Sequence, residues 1–145
     1  MLWISAGGYC ADITRTFPVY SFSPYQQKVY DAVKRLYTIG EKMVKPGVYF
    51  IDIQRTVQHA LQQELQQLGI KDYTEVNKYM PHGLGHSVGL QVHDFPQIMH
   101  IGPLCEGMVL TIEPGIYVPE VCVRIENTIV VTKSGCRVLS NDVLW

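Results

Sequence analysis

The sequence has no CxxC pair and no dense cysteine framework, and its four cysteines, Cys10, Cys105, Cys122 and Cys136, lie far apart. They read as free thiols in a reducing compartment, and folding needs no disulfide. No apolar run approaches the roughly 20 residues of a membrane span. The opening MLWISAGGYC lacks the basic residues and sustained apolar stretch of a signal peptide, so the expected compartment is cytoplasmic. A surplus of one charge is missing too. The 12 basic and 13 acidic residues are spread along the chain for a net charge of -1, which gives nucleic acid or an anionic membrane no electrostatic handle. A small or peptide-like partner is expected instead. No internal repeat, linker or low-complexity segment interrupts the chain. Its 145 residues at 47% hydrophobic content suit a single domain over 1–145 with a sizeable core.

What is present divides into a helical half and a strand half. A strand-like opening, GYCADITRTFPV, ends at Pro18. Ser23 then fits an N-cap with Pro24 at the first helical position, and Tyr25, Val29, Ala32, Leu36, Ile39 and Met43 recur at three- and four-residue steps until Lys45, Pro46 and Gly47 stop the helix. A second helix is predicted from about Ile51 to Leu68, with Ile53, Val57, Ala60, Leu61, Leu65 and Leu68 as its apolar stripe and Gly69 as its stop. Beyond Gly69 the period changes. Val88 to His93, Met108 to Tyr117, Val121 to Val131 and Arg137 to Leu139 are rich in β-branched residues and read as strands. Two long amphipathic helices with an antiparallel sheet predict the α+β class.

Alternate residues of a strand share a face. Cys10, Asp12, Thr14 and Thr16 therefore point one way. Val109, Thr111 and Glu113 share another face, and Cys122, Arg124, Glu126 and Thr128 a third. Three strands each put a carboxylate among apolar or hydroxyl neighbours, which is costly unless the acid is paired or holds a cation. If the strands are neighbours, the acids converge on one patch. Between them lies MPHGLGHSVGLQVHD, Met80 to Asp94, which holds His82, His86 and His93 interleaved with Gly83, Gly85 and Gly89. Each element has a plainer explanation. Arg124 can pair with Glu126 or Glu113, a lone histidine is usually a core or surface residue, and the glycines can mark a tight turn. The spacing of His82 and His86 suggests zinc only on a helix, which the glycines discourage. Their coincidence on one sheet face favours a metal. Carboxylates with one imidazole form an oxygen-dominated set suited to Mn²⁺, Co²⁺ or Zn²⁺ as Lewis acid and source of hydroxide.

The ordered segments ADITRTFPV, PHGLGHSVGLQVHD, EGMVLTIEPGIYVP and VRIENTIVVT resemble the C-terminal catalytic region of the pita-bread metallopeptidases, specifically the aminopeptidase P and prolidase group. The resemblance runs from about Gly8 to Val131. It implies a pita-bread fold truncated to the second half plus the last hairpin of the first half. It also implies one or two divalent ions, Mn²⁺ foremost, and hydrolysis of the bond preceding proline in Xaa-Pro peptides. Asp12 and Glu126 would bridge the metals, His86 would be the sole imidazole ligand, and Glu113 a ligand that also moves a proton at the attacking water. By the same resemblance His82 and His93 would hold the substrate carbonyl and the tetrahedral intermediate, with Tyr117 and Arg124 orienting the pocket.

There are departures. The family carries an aspartate eleven positions before the one matched by Asp12, and that position is Met1. The elements of the first half, with a further histidine, have no counterpart. An uncovered sheet edge invites association, so a homo-oligomer or a second chain completing the fold is expected. A competing reading is a non-catalytic relative that binds peptides or proteins. Retention of His86, Glu113 and Glu126 speaks for the enzyme, and the missing parts for the binding module.

Overall fold

The computed structural model describes residues 2–141, with side chains from residue 7 onward. Met1, where the resemblance leads one to seek an aspartate, lies outside the described residues. Strands β1 (Leu2–Ala6) and β2 (Tyr9–Ile13) form an antiparallel hairpin in which the backbone of Trp3 faces that of Asp12.

Helix α1 spans Pro24–Met43, as its apolar period predicts. Ser23 accepts from the Gln26 amide while the Gln26 side chain accepts from the Ser23 amide, a reciprocal capping box. Helix α2 spans Phe50–Gln67, one residue from the predicted bounds at either end. Gly69, at φ +80, ends it in the left-handed conformation that suits glycine. The two helices pack on each other, and α1 also lies on the strands described below. Val29, Leu36, Val57 and Leu61 are fully buried at this junction, each contributing roughly 1.5–3 kcal/mol by leaving water. A charged pair joins the helices: Arg35 donates through Nε and one Nη to both carboxylate oxygens of Glu64, each at 2.7 Å. A short helix, α3 (Val76–Tyr79), follows. No helix among the described residues is long and apolar enough to cross a membrane.

The predicted strands of the second half differ from the observed ones in an instructive way. Met108 to Tyr117 is two strands, β3 (Val109–Ile112) and β4 (Gly115–Val118). Val121 to Val131 is likewise β5 (Val121–Arg124) and β6 (Asn127–Val131). The pairs Ile112 with Asn127 and Gly115 with Arg124 belong to one unshifted register, so these strands form a single antiparallel ribbon kinked at Glu113–Pro114 and Ile125–Glu126. Pro114 lacks the amide a continuous ladder would use. Strand β7 (Cys136–Val138) pairs with β6 at the outer edge.

Val88 to His93 is not a strand. Its Val-Gly-Leu-Gln-Val alternation imitates one, but the Gly89 amide bonds back to the Gln91 carbonyl at 3.1 Å and the Asp94 carboxylate takes the Leu90 amide at 2.8 Å, which closes a loop. Only an isolated bridge, Ser87 to Leu110, ties the segment to β3. A second bridge, Thr14 to Glu126, joins the β1–β2 hairpin to the kink.

Candidate metal centre

The three acids sit where the strands begin, bend or end. Asp12 lies within β2, Glu113 directly follows β3, and Glu126 directly precedes β6. A kinked ribbon turns side chains inward that a straight one would spread along a face. Asp12 and Glu126 are fully buried, and Glu113 nearly so. Backbone bonds on either side fix Asp12: its amide donates to Thr128 Oγ1 at 3.0 Å, and that hydroxyl donates to the Asp12 carbonyl at 2.8 Å. Thr14, two residues along the same strand face, donates its hydroxyl to Glu126 Oε2.

The histidine segment runs beside β3. Thr111 donates its amide to the His86 carbonyl at 2.9 Å, Glu113 donates to the Leu84 carbonyl at 2.8 Å, and the His86 amide donates to Thr111 Oγ1 at 3.0 Å. The approach to β3 explains Gly85, and the closure of the loop on Asp94 explains Gly89. A Cβ on Gly85 would stand 2.0 Å from the Thr111 carbonyl oxygen, and one on Gly89 would stand 2.1 Å from the Asp94 carboxylate.

His86 Nε2 thereby reaches the middle of the acids: 3.5 Å from Glu113 Oε1, 3.7 Å from Asp12 Oδ2 and 3.9 Å from Glu126 Oε1. These spacings are too long for hydrogen bonds. They approach those of donors arranged round one cation, because ligands about 2.1 Å from a centre lie about 3–3.5 Å apart. Both Asp12 oxygens, Glu126 Oε1 and His86 Nε2 are buried without a hydrogen-bond partner among the described residues. Buried acceptors that face one another without a donor are expensive, and a cation between them removes that cost. The donor set fits a divalent metal.

The electrostatics agree. Burial, reinforced by the charge of Glu126, pushes the Glu113 carboxyl up to about 8. Burial also raises Glu126, partly offset by the hydrogen bond from Thr14. Burial lowers His86 below the ordinary imidazole range despite its acidic neighbours. His86 is thus neutral, the form that offers a lone pair, and its close approach to the acids is not an ion pair.

His82, His93 and Arg124 line a cavity of about 410 Å³ with His86 and Glu113. His82 already uses both ring nitrogens: Nδ1 faces the Gly83 carbonyl at 2.8 Å, and Nε2 faces Tyr117 Oη at 2.7 Å. Since a carbonyl only accepts, Nδ1 carries the proton and Nε2 accepts from the phenol. Burial lowers His82 as well. Arg124 makes no ion pair with Glu113 or Glu126 among the described residues. It donates instead to Thr14 Oγ1 at 3.3 Å and to Tyr117 Oη at 3.5 Å. The structure therefore brings Asp12, His86, Glu113 and Glu126 into one cluster and sets His82, Tyr117 and Arg124 in a chain beside it. His93 closes the other side, its ring edge-on to His86 at 4.2 Å. The supporting hydroxyls of Thr14, Thr111 and Thr128 escaped the sequence reading as functional groups. The available signal was the period-two face that each shares with an acid: Thr14 with Asp12, Thr111 with Glu113 and Thr128 with Glu126.

Comparison with known proteins follows the same lines. Residues 2–133 match the description of metallopeptidase family M24. Human Xaa-Pro aminopeptidase 3 is 39% identical over 153 residues, covering 92% of this chain and 30% of that protein. The crystal structure of Icp55 from Saccharomyces cerevisiae bound to the apstatin inhibitor superposes with a TM-score of 0.88 at 35% identity, over 97% of this chain and 38% of that one. Prolidase from Pyrococcus horikoshii OT3 gives 0.76 at 36% identity, over 92% and 37%. The chain spans about a third of the length of the curated relatives it matches. The architecture is that of the pita-bread peptidases, α+β with antiparallel sheets. With its motifs, fold and acid–imidazole cluster in agreement, the chain belongs to metallopeptidase family M24.

Proposed function

We propose that Asp12, His86, Glu113 and Glu126 hold one or two divalent ions, Mn²⁺ foremost with Co²⁺ or Zn²⁺ as substitutes. We further propose that the chain is the catalytic part of a cytoplasmic hydrolase that cuts the bond before proline in Xaa-Pro peptides. The observation that carries this reading is the set of buried carboxylates round His86 Nε2, with the facing oxygens of Asp12 and Glu126 unpartnered among the described residues. A bound cation supplies a Lewis acid for the peptide carbonyl and acidifies the attacking water.

The chain's own residues do the rest. Glu113, on the cavity wall, takes the proton of that water at its carboxylate and returns it to the departing nitrogen. His93 donates from the opposite wall to the peptide carbonyl oxygen as negative charge develops there. His82 acts on the substrate together with Tyr117: its Nε2 accepts the phenol proton, and the Arg124 guanidinium steadies the phenol oxygen. The Ile98 and Met99 side of the cavity offers apolar surface for a proline ring. A volume of about 410 Å³ lies within the roughly 300–1,000 Å³ of small-ligand sites. The competing binding-module reading accounts for the groove but not for three buried acids facing one imidazole.

The first test is metal content per chain after equilibration with Mn²⁺ and desalting, with Asp12→Ala as control. One or more ions retained by the wild type and lost in the variant is the expected result, followed by hydrolysis of Xaa-Pro peptides. A chain that retains no ion removes the reading.

A further inference from the structure

The β1–β2 hairpin and the β3–β6–β7 sheet are separate ladders, yet the candidate centre needs Asp12 from one and Glu126 from the margin of the other at a fixed spacing. The isolated bridge that joins them is loose on one side. The Glu126 amide donates to the Thr14 carbonyl at 3.0 Å, but the Thr14 amide reaches the Glu126 carbonyl only at 3.4 Å. Arg15 sits across this seam. One terminal nitrogen of its guanidinium donates to the Glu126 carbonyl at 2.6 Å and to the Thr14 carbonyl at 3.0 Å, and the other donates to Asn127 Oδ1 at 2.7 Å. We infer that Arg15 is a positioning residue, a three-point clamp that sets the distance between Asp12 and Glu126 and with it the affinity and geometry of the cation they hold, an inference that rests on the metal reading above.

The grip falls where the ribbon leaves a ligand unsupported. Glu126 lies between β5 and β6, outside both strands, and Arg15 holds its carbonyl together with the side chain of the next residue. Asn127 is fully buried, and its Oδ1 also accepts from Ser140 Oγ at 2.7 Å. The clamp is thereby anchored to the segment that follows β7. On the hairpin side, the carbonyl it holds belongs to Thr14, whose hydroxyl donates to Glu126 Oε2. Fixing Thr14 fixes that donor as well.

The same geometry keeps the guanidinium out of the cation's place. Alternation along the strand sets Arg15 on the face away from Asp12 and Thr14, and Arg15 does not line the cavity of the centre. Its bonds leave both Asp12 oxygens and Glu126 Oε1 without a partner among the described residues. A positive side chain that reached those oxygens would satisfy them and displace the ion. The residue type matters too. A planar fork of donors serves two carbonyls and an amide oxygen at once, which the compact ammonium of lysine on its flexible stem does not match.

The test separates charge from geometry with Arg15→Lys, which keeps the first and loses the second. Mn²⁺ affinity is measured by equilibrium dialysis, coordination by the visible absorption of the Co²⁺-loaded chain, and folding by circular dichroism and thermal melts in chelator. Arg15→Lys weakens Mn²⁺ binding about tenfold to a hundredfold and shifts the Co²⁺ bands at saturation. Asn127→Ala, which removes one anchor of the three, moves both readouts the same way by less, and it carries the test if Arg15→Lys does not fold. An arginine with a merely structural role lowers the melting temperature in chelator but leaves the Mn²⁺ affinity and the Co²⁺ bands of the folded chain as they were. That result overturns the inference and leaves the centre standing. A wild type that binds no Mn²⁺ removes the centre and the inference with it.

Discussion

Glu126 concentrates the tension of this site at one residue. It is fully buried, with one oxygen held by Thr14 and the other facing Asp12 and His86 without a donor. Without a cation such a carboxylate weakens the fold, because desolvating it is repaid by a single hydroxyl. With a cation it becomes a reason for the ion to stay. Glu126→Gln therefore acts in opposite directions on the two forms. In chelator-treated protein it leaves stability unchanged or raises it by up to about 2 kcal/mol, since an uncompensated buried charge is gone. In Mn²⁺-equilibrated protein it abolishes ion retention and the rise in melting temperature that binding brings. Circular dichroism checks that helix content is intact, and elemental analysis with thermal melts in the presence and absence of Mn²⁺ checks the rest. Undiminished Mn²⁺ content in the variant would show that Glu126 is an ordinary buried acid.

Among the elements, α3 depends most on a local tether. A helix of four residues has no stability of its own. Asp72 holds it by accepting hydrogen bonds from Lys78 and from the Tyr79 hydroxyl, and Met80 leads directly from it into the histidine segment. These bonds, Lys78 first and Tyr79 second, hold the Asp72 carboxyl down to about 2, below its ordinary 3.8. The sign follows from the depressed value. The tether is complete above about pH 4 and fails as pH falls through about 2. The Asp72 carboxyl carbon should titrate with a midpoint near 2 by NMR, and Asp72→Asn should loosen Tyr79 at neutral pH without disturbing α1 or α2. A midpoint near the ordinary value would mean that the tether does not form in solution. Elements of this kind were hidden in the sequence, whereas α1 was legible from its cap, period and stop and α2 from its period and its Gly69 stop, all local to each segment. The loop at 88–93 was misread because Val88, Leu90 and Val92 alternate as a strand does, while the bonds that close it come from Gly89 and Asp94. The site was legible through its ordered motifs. Its supporting hydroxyls were not, since Thr14 meets Glu126 and Thr128 meets Asp12 across more than a hundred residues.

At the scale of the whole molecule, the helices cover one side of the ribbon and leave other surfaces bare. Tyr9, Ile13, Val88, Val109 and Leu139 line a second cavity of about 580 Å³ on the hairpin side, away from the His82–Arg124 wall. Tyr9 is 66% exposed and the adjoining Leu90 68%. Strand β1 has β2 as its only ladder partner, and β7 has only β6, so each presents a free backbone edge among the described residues. Apolar surface beside unpaired strand edges is what proteins usually cover, because both drive association. The relatives of this chain are about three times its length, so a surface of this kind can be internal in a longer protein of the same fold. We therefore expect this chain to be a homodimer or larger assembly at micromolar concentration, or to require a second chain to complete the sheet. Sedimentation velocity measures it directly. Association that weakens when Tyr9 and Leu139 are both changed to Ser places the contact at this cavity. A stable monomer across the micromolar range would mean that the bare edges are tolerated and would sink the expectation. Neither Tyr9 nor Leu139 lines the cavity of the metal centre, so ion retention should survive the double substitution even where assembly does not.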